Sequence, residues 1–396
     1  MLKKYTRINN PGFLLVAALL ILQGCSKKHV LPSGARVDTT YTIANIFQSN
    51  MVIQRDKPFA IWGKAAPAQK VAVKVSWDTQ MYTSTTDAQG KWKVIIPPAA
   101  ANSKAQTIKV TPDGRKSVSL TNVLIGDVWI CSGQSNMVMP VGVDPDVAAF
   151  KGVADYANEI NAANYPQIRA ATVVQSMDAQ PQDMLKAAAE WKVCSPATVG
   201  RFSAVSYFFA RKLQTELNVP MGIIIAAVSG TNCQLWTNAG VFDNDAVLAK
   251  EYGAKHSHLY NGMINPLNQL AIKGFTWYQG ESNWGDSPNS YAKLNAALIA
   301  GWRAQFNQGI LPFYIVQVAP FDKNKDGYEA AYDYALFREG QAKVLNLAPG
   351  TGMAVTMDVG EALNLHPLNK KPIGERLALL ALKNDYGKPV EASIPS

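Results

Sequence analysis

Cysteine is scarce and scattered in this sequence. The four residues Cys25, Cys131, Cys194 and Cys233 include no Cys-x-x-Cys pair, which leaves neither a disulfide scaffold nor a zinc-finger site. Histidine is equally sparse, at four residues, so the search for an imidazole acid or base is short. No Lys/Arg run exceeds two residues, which argues against a nucleic-acid groove or a polybasic membrane patch. The apolar run Phe13 to Leu22 is ten residues long, about half of what hydrocarbon roughly 30 Å thick requires. Against these absences stand 396 residues, 48% hydrophobic and 17% charged. That composition describes a soluble folded protein with room for two or three domains and excludes disorder, collagen and coiled coil.

The N-terminus places Lys3, Lys4 and Arg7 before the apolar run and closes it with Leu22-Gln23-Gly24-Cys25. Residues 1–24 read as a cleaved signal. Its last four residues resemble a bacterial lipobox, which makes Cys25 the expected lipidated N-terminus of an exported lipoprotein, tethered to a membrane in the periplasm or at the cell surface. The lipid is the expected membrane contact. Loss of three basic residues with the leader takes the formal charge from +9 to +6. Three cysteines then remain, an odd number, so at least one thiol stays free.

Residues 25–41 read as a tether. From 42 to 124 the texture is β: Val71-Ala72-Val73-Lys74-Val75 alternates, and Lys91-Trp92-Lys93-Val94 follows the turn Asp87-Ala88-Gln89-Gly90. Short alternating strands at even spacing predict a small β-sandwich-like domain. From 125 to 396 the period changes. Apolar runs at 127–130, 222–228, 274–278, 313–318 and 353–357 alternate with helical patterns. One is Tyr207/Phe208, Leu213 and Leu217. Another is Leu294, Leu298, Trp302 and Phe306, which Ser290 can cap. This alternation predicts an α/β fold, a parallel sheet covered by helices on both faces.

Open parallel sheets bind ligands beyond the carboxyl ends of their strands, so the residues after each run carry the chemistry. The first tail is Cys131-Ser132-Gly133-Gln134-Ser135-Asn136-Met137, the second Ser229-Gly230-Thr231, the third Gln279-Gly280-Glu281-Ser282-Asn283, and the last runs from Asp358 to His366-Pro367. Each has a bland explanation, a helix cap for Ser135 and a tight turn for Gly230. Together they supply the parts of acyl transfer: Ser135 as nucleophile, His366 as base, and an oxyanion hole from the Ser135 and Gly230 N–H groups with the Gln279 amide. No cofactor is needed. The G-x-S-x-G nucleophile elbow is not matched, because Met137 stands where its second glycine belongs.

Longer runs surround these tails: Phe47-Gln48-Ser49-Asn50-Met51-Val52, Gly126 to Met137, Ser206 to Arg211, Leu259 to Ile264, Trp277 to Asn283, Leu311 to Phe321 and His366-Pro367. In these the chain resembles the sialate O-acetylesterase family, relatives of the SGNH hydrolases that include acetylxylan esterases of carbohydrate esterase family 6. The resemblance extends from about Phe47 to Gly387. It implies an SGNH-type three-layer α/β/α domain carrying a small β-domain, Ser135 as nucleophile, Gly230 and the Gln279 region at the oxyanion hole, and His366 as base. It also implies that the substrate is acetylated carbohydrate, sialic acid or a plant-type glycan. Two departures stand out. Relatives usually carry an aspartate two or three residues before the histidine, where this sequence has Asn364 and Leu363. Either a Ser-His dyad suffices, or Glu281, Asp358 or Glu361 reaches the ring, with Glu281 expected first of the three because it shares a loop with Gln279, or the enzyme is slow. Relatives also commonly continue into a β-rich segment, so the end at Ser396 reads as a shortened C-terminus.

Other candidates are weaker. His256-Ser257-His258 lacks a carboxylate or cysteine beside it for a metal site, and Asp322 to Gly327 has lysine where a calcium loop needs oxygen ligands; no metal is expected. Cys131 as nucleophile sits too early, in or just after a strand. Two further functions stay open: a catalytically impaired glycan-binding protein, suggested by Asn364, and an SGNH-type esterase for another acyl group.

Overall fold

The structure, a computed structural model, describes residues 41–322 and 329–392, with residues 329–332 described by their backbone alone. The leader, Cys25 and almost all of the tether lie outside the described residues, as do residues 323–327 of the loop that begins at Asp322.

Eight strands come first: β1 (Thr42–Ile43), β2 (Val52–Gln54), β3 (Phe59–Lys64), β4 (Lys70–Val75), β5 (Met81–Thr85), β6 (Lys91–Ile96), β7 (Asn102–Pro112) and β8 (Val118–Gly133). β1, β3 and β6 pair antiparallel as one sheet. β5, β4, β7 and β8 pair antiparallel as a second, with β2 parallel to β8. The alternation read from the sequence is the burial pattern. Val71, Val73 and Val75 point inward on β4, and Trp92, Val94 and Ile96 do so on β6, while Lys91 and Lys93 face water. The turn before β6 is held by Asp87, whose Oδ1 accepts from the Gln89 and Lys91 N–H groups at 3.0 and 2.8 Å.

β8 spans sixteen residues, and residue 124, where a boundary is expected, falls inside it. Its second half becomes a central strand of a sheet whose remaining members are β9 (Tyr165–Thr172), β10 (Trp191–Cys194), β11 (Met221–Ala227), β12 (Gly274–Tyr278), β13 (Phe313–Val316) and β14 (Thr351–Ala354), in the order β10-β9-β11-β8-β12-β13-β14. Every neighbouring pair is parallel except β9 with β10. Each of the five apolar runs read from the sequence overlaps a strand here. β9 and β10 are additions. Pro166 and Arg169 interrupt the apolar pattern of β9, and the Arg169 guanidinium is buried by donating to the Pro166 and Asn50 carbonyls.

The helices are α1 (Ser135–Val138), α2 (Tyr156–Asn161), α3 (Ala204–Leu217), α4 (Cys233–Trp236), α5 (Ala239–Asn244), α6 (Ala246–Tyr252), α7 (Pro288–Phe306), α8 (Glu329–Leu347) and α9 (Lys371–Tyr386). Successive residues of β8 point to opposite faces. Trp129 and Cys131 meet Phe208, Phe209 and Leu213 of α3 and Leu377 and Ala381 of α9. Val128 and Ile130 join Leu294, Leu298 and Trp302 of α7 in a core that runs on to Ile61 and Val73 of the β-strands below. These are the three expected layers. α7 begins one turn earlier than the sequence suggests, with Pro288 in its first turn after Ser287, because proline suits that position.

Candidate active site

The site is built where β8, β11, β12 and the segment after β14 end together. β8 closes on Gly133, whose φ of +140° and whose approach to the Tyr278 carbonyl only glycine allows: a Cβ there would stand 2.0 Å from that oxygen. The Gln134 N–H donates to the same carbonyl at 2.9 Å, and the chain turns into α1. Ser135 is thus the first helical residue, 6% exposed. The first N–H groups of a helix have no intrahelical acceptor, and here Met137 and Val138 have reached the Gln134 carbonyl while Ser135 and Asn136 come before them.

Gly230 follows β11 with φ of +70°, and the space a Cβ would occupy is open. Thr231 beside it is fixed by its own hydroxyl, which donates to the Val228 carbonyl at 2.8 Å and accepts from Trp236 Nε1 at 3.0 Å. Gln279, expected to donate to an oxyanion, does something else. It is fully buried, and its Nε2 lies on the Gln134 Oε1, Thr231 O and Asn283 Oδ1 acceptors at 3.1, 3.1 and 2.8 Å. Two amide hydrogens shared among three acceptors leave none for a substrate, so Gln279 ties the β8, β11 and β12 ends to one another. Gln134 completes that tie by accepting from the Ser282 N–H at 3.1 Å.

His366 lies in a loop shaped by the residues that replace the usual acid. Asn364 Oδ1 accepts from the His366 backbone N–H at 3.0 Å, and Asn364 Nδ2 donates to Glu361 Oε2 at 3.1 Å. This is an asparagine turn, in which the side chain folds the backbone two residues on. The imidazole meets the edge of Phe150, centroids 5.2 Å apart, and its Nε2 is buried without a hydrogen-bond partner. Burial, and secondarily the Lys370 cation, push its pKa down to about 4.

Among the described residues no carboxylate bonds to that ring. Glu281, expected to orient it, is buried and accepts instead from Asn136 Nδ2, and burial raises its pKa. Asp358 is paired with Arg376 at 2.5 to 2.7 Å near the surface. Glu361 accepts from Asn364 and, at 2.6 Å, from the Leu368 N–H. What joins the serine and histidine segments is Asn136. Its Nδ2 donates to the Leu365 carbonyl at 3.1 Å as well as to Glu281, and its Oδ1 accepts from Lys370 Nζ at 2.5 Å. Ser135, Glu281 and His366 are therefore gathered within one residue of a shared amide.

The other candidates fall away from this edge. Cys131 is fully buried, and burial pushes its thiol up to about 11. His256 bonds Ser257 Oγ at 2.6 Å and packs on Phe242. Among the described residues no three His, Cys, Asp or Glu side chains gather as a metal site, and no helix is long and apolar enough to cross a membrane. Trp236, Trp277 and Tyr278, near the strand ends, are fully buried, and Trp284 stacks on Tyr334.

Asn136 and Lys370 are the residues that sequence reading missed. Asn136 stands beside the serine in a run already singled out. Lys370 gives no signal of its own, since lysine is almost never fully buried and reads as surface.

A three-layer α/β/α sheet with a serine at the end of one central strand and a histidine after the last is an arrangement suited to a serine esterase. The particular family follows from comparison. The model of the sialic acid-specific acetylesterases, a carbohydrate esterase family, matches residues 125–378, and the chain belongs to that family. It is 28% identical to the human sialate O-acetylesterase over 88% of this chain and 72% of that protein, and 26% identical to the mouse protein over 96% and 78%. Among solved structures, a carbohydrate acetylesterase from Xanthomonas citri superimposes with a TM-score of 0.80 at 36% identity, covering 90% of this chain and 78% of that one.

Proposed function

We propose that the protein removes O-acetyl groups from carbohydrate through an acyl-enzyme on Ser135. Ser135 Oγ attacks the ester carbonyl as His366 takes its proton. The Ser135 and Gly230 N–H groups hold the oxyanion, and His366 returns the proton to the departing sugar hydroxyl. Water, deprotonated by His366, then releases acetate and restores the serine. The observation that carries this reading is the Asn136 bond to the Leu365 carbonyl at 3.1 Å, which draws the His366 loop onto the Ser135 turn. Acetate release from a panel of acetylated sialic acids and plant-type glycans tests it. At least one class should turn over, and Ser135→Ala should lose up to about six orders of magnitude in kcat.

The imidazole without a carboxylate favours a second reading, a glycan-binding protein with little turnover. That reading requires binding to the same glycans with equal, negligible acetate release from wild type and Ser135→Ala. For location, we infer an exported lipoprotein held through acylated Cys25. Cys25→Ala should move it from the membrane to the soluble fraction, and an unchanged membrane fraction would contradict the anchor.

A further inference from the structure

Lys370 is fully buried, a position lysine tolerates only with partners. Its partners all belong to the active-site edge. From α1, Asn136 Oδ1 accepts from Nζ at 2.5 Å. From β12 the Tyr278 ring lies 5.5 Å away. Glu281, in the loop that follows, and Glu361, in the loop of Lys370 itself, act on it through their charges. Burial and, secondarily, the Lys370 charge lower the proton affinity of the His366 imidazole, which packs against the uncharged ring of Phe150. The lysine backbone is anchored as the cap of α9, where the Gly374 N–H donates to its carbonyl at 3.1 Å.

This arrangement inverts the usual one. A triad places an anion against the imidazole and so favours its protonated form. Here the group whose charge reaches the ring is a cation, and the two glutamates face the lysine instead. Asn136 is buried, and the orientation of its amide decides which segments it can join. Lys370 fixes the oxygen end, which leaves both Nδ2 hydrogens for Glu281 and the Leu365 carbonyl.

We propose that Lys370 is the positioning residue of this site: through Asn136 it clamps the His366 loop to the Ser135 turn, and it places an ammonium group, rather than a carboxylate, beside the histidine segment. The catalytic meaning of this rests on the esterase reading above; the clamp and the charge do not.

NMR titration of the His366 ring, assigned by comparison with His366→Asn, separates the two. In the wild-type protein the ring should titrate near pH 4 and show a second inflection near pH 7 as Lys370 loses its proton. Lys370→Met should abolish the second inflection and raise the ring midpoint by about one pH unit. Lys370→Arg should keep the low midpoint without an inflection near 7. In acetate release, Lys370→Met should lose kcat about tenfold or more with KM within about twofold, and Arg should restore most of it. A purely structural lysine would lower stability in Lys370→Met and leave the ring midpoint in place, which would overturn the proposal. If Lys370→Met does not fold, the wild-type curve decides, and a single inflection in the ordinary histidine range contradicts it. Ser135→Ala that keeps both inflections while retaining full turnover would sink the serine mechanism and leave the lysine assignment standing.

Discussion

In the proposed mechanism His366 is the base, and burial with a neighbouring cation, rather than a carboxylate, sets its proton affinity. A general base must be neutral to act, so kcat/KM falls as pH drops through its folded-state pKa. With that value near 4, the acid limb should lie well below the ordinary histidine range, and activity should hold down to about pH 5. An acid limb centred between pH 6 and 7 would show that the ring is more exposed, or better paired, than its Phe150 and Lys370 surroundings allow. Asn364 explains how the loop survives without the family's aspartate. Its oxygen folds the backbone onto His366 and its nitrogen is spent on Glu361, so it shapes the turn and does not face the ring. The two-residue spacing to the histidine was legible from the letters, as was the loss of charge. The new job of the side chain was not, because it depends on Glu361 folding back.

At the scale of elements, the strand ends are brought together by glycines with different duties. Gly133 allows β8 to graze the Tyr278 carbonyl, whereas Gly230 has open space and needs only its left-handed backbone. Gly133→Ala should therefore cost at least about 3 kcal/mol through backbone collision, and Gly230→Ala only about 1 kcal/mol. Urea midpoints compare them directly, and equal losses would mean that collision is not what requires glycine at 133. The buried parallel strands were readable because helices on both faces make them continuous apolar runs. β9 escaped because its arginine is buried by backbone carbonyls, a solution that no local pattern announces. Glu281 is bonded to Asn136 and not to the imidazole, a partner about which sequence proximity to Gln279 carries no information.

Across the whole molecule, β8 is shared by the N-terminal strands and the central sheet, and Asp127 on it gathers distant parts. Gln54 and Arg55 donate to it at 2.9 to 3.1 Å, and the Tyr386 hydroxyl at 2.9 Å. That knot and the continuous core fix the sheet whose carboxyl edge carries the candidate site, which is how residues more than two hundred positions apart share one amide. The texture change near residue 124 was visible in the sequence, while the single strand running through it was not, because periodicity reports the surroundings of a strand rather than its ends. The central claim is that Ser135 carries the acyl group. Rapid quenching during turnover of p-nitrophenyl acetate, followed by mass spectrometry of the peptides, should find acetyl on the peptide containing Ser135 and none in Ser135→Ala. Acetyl on another residue, or turnover by Ser135→Ala equal to wild type, would contradict it.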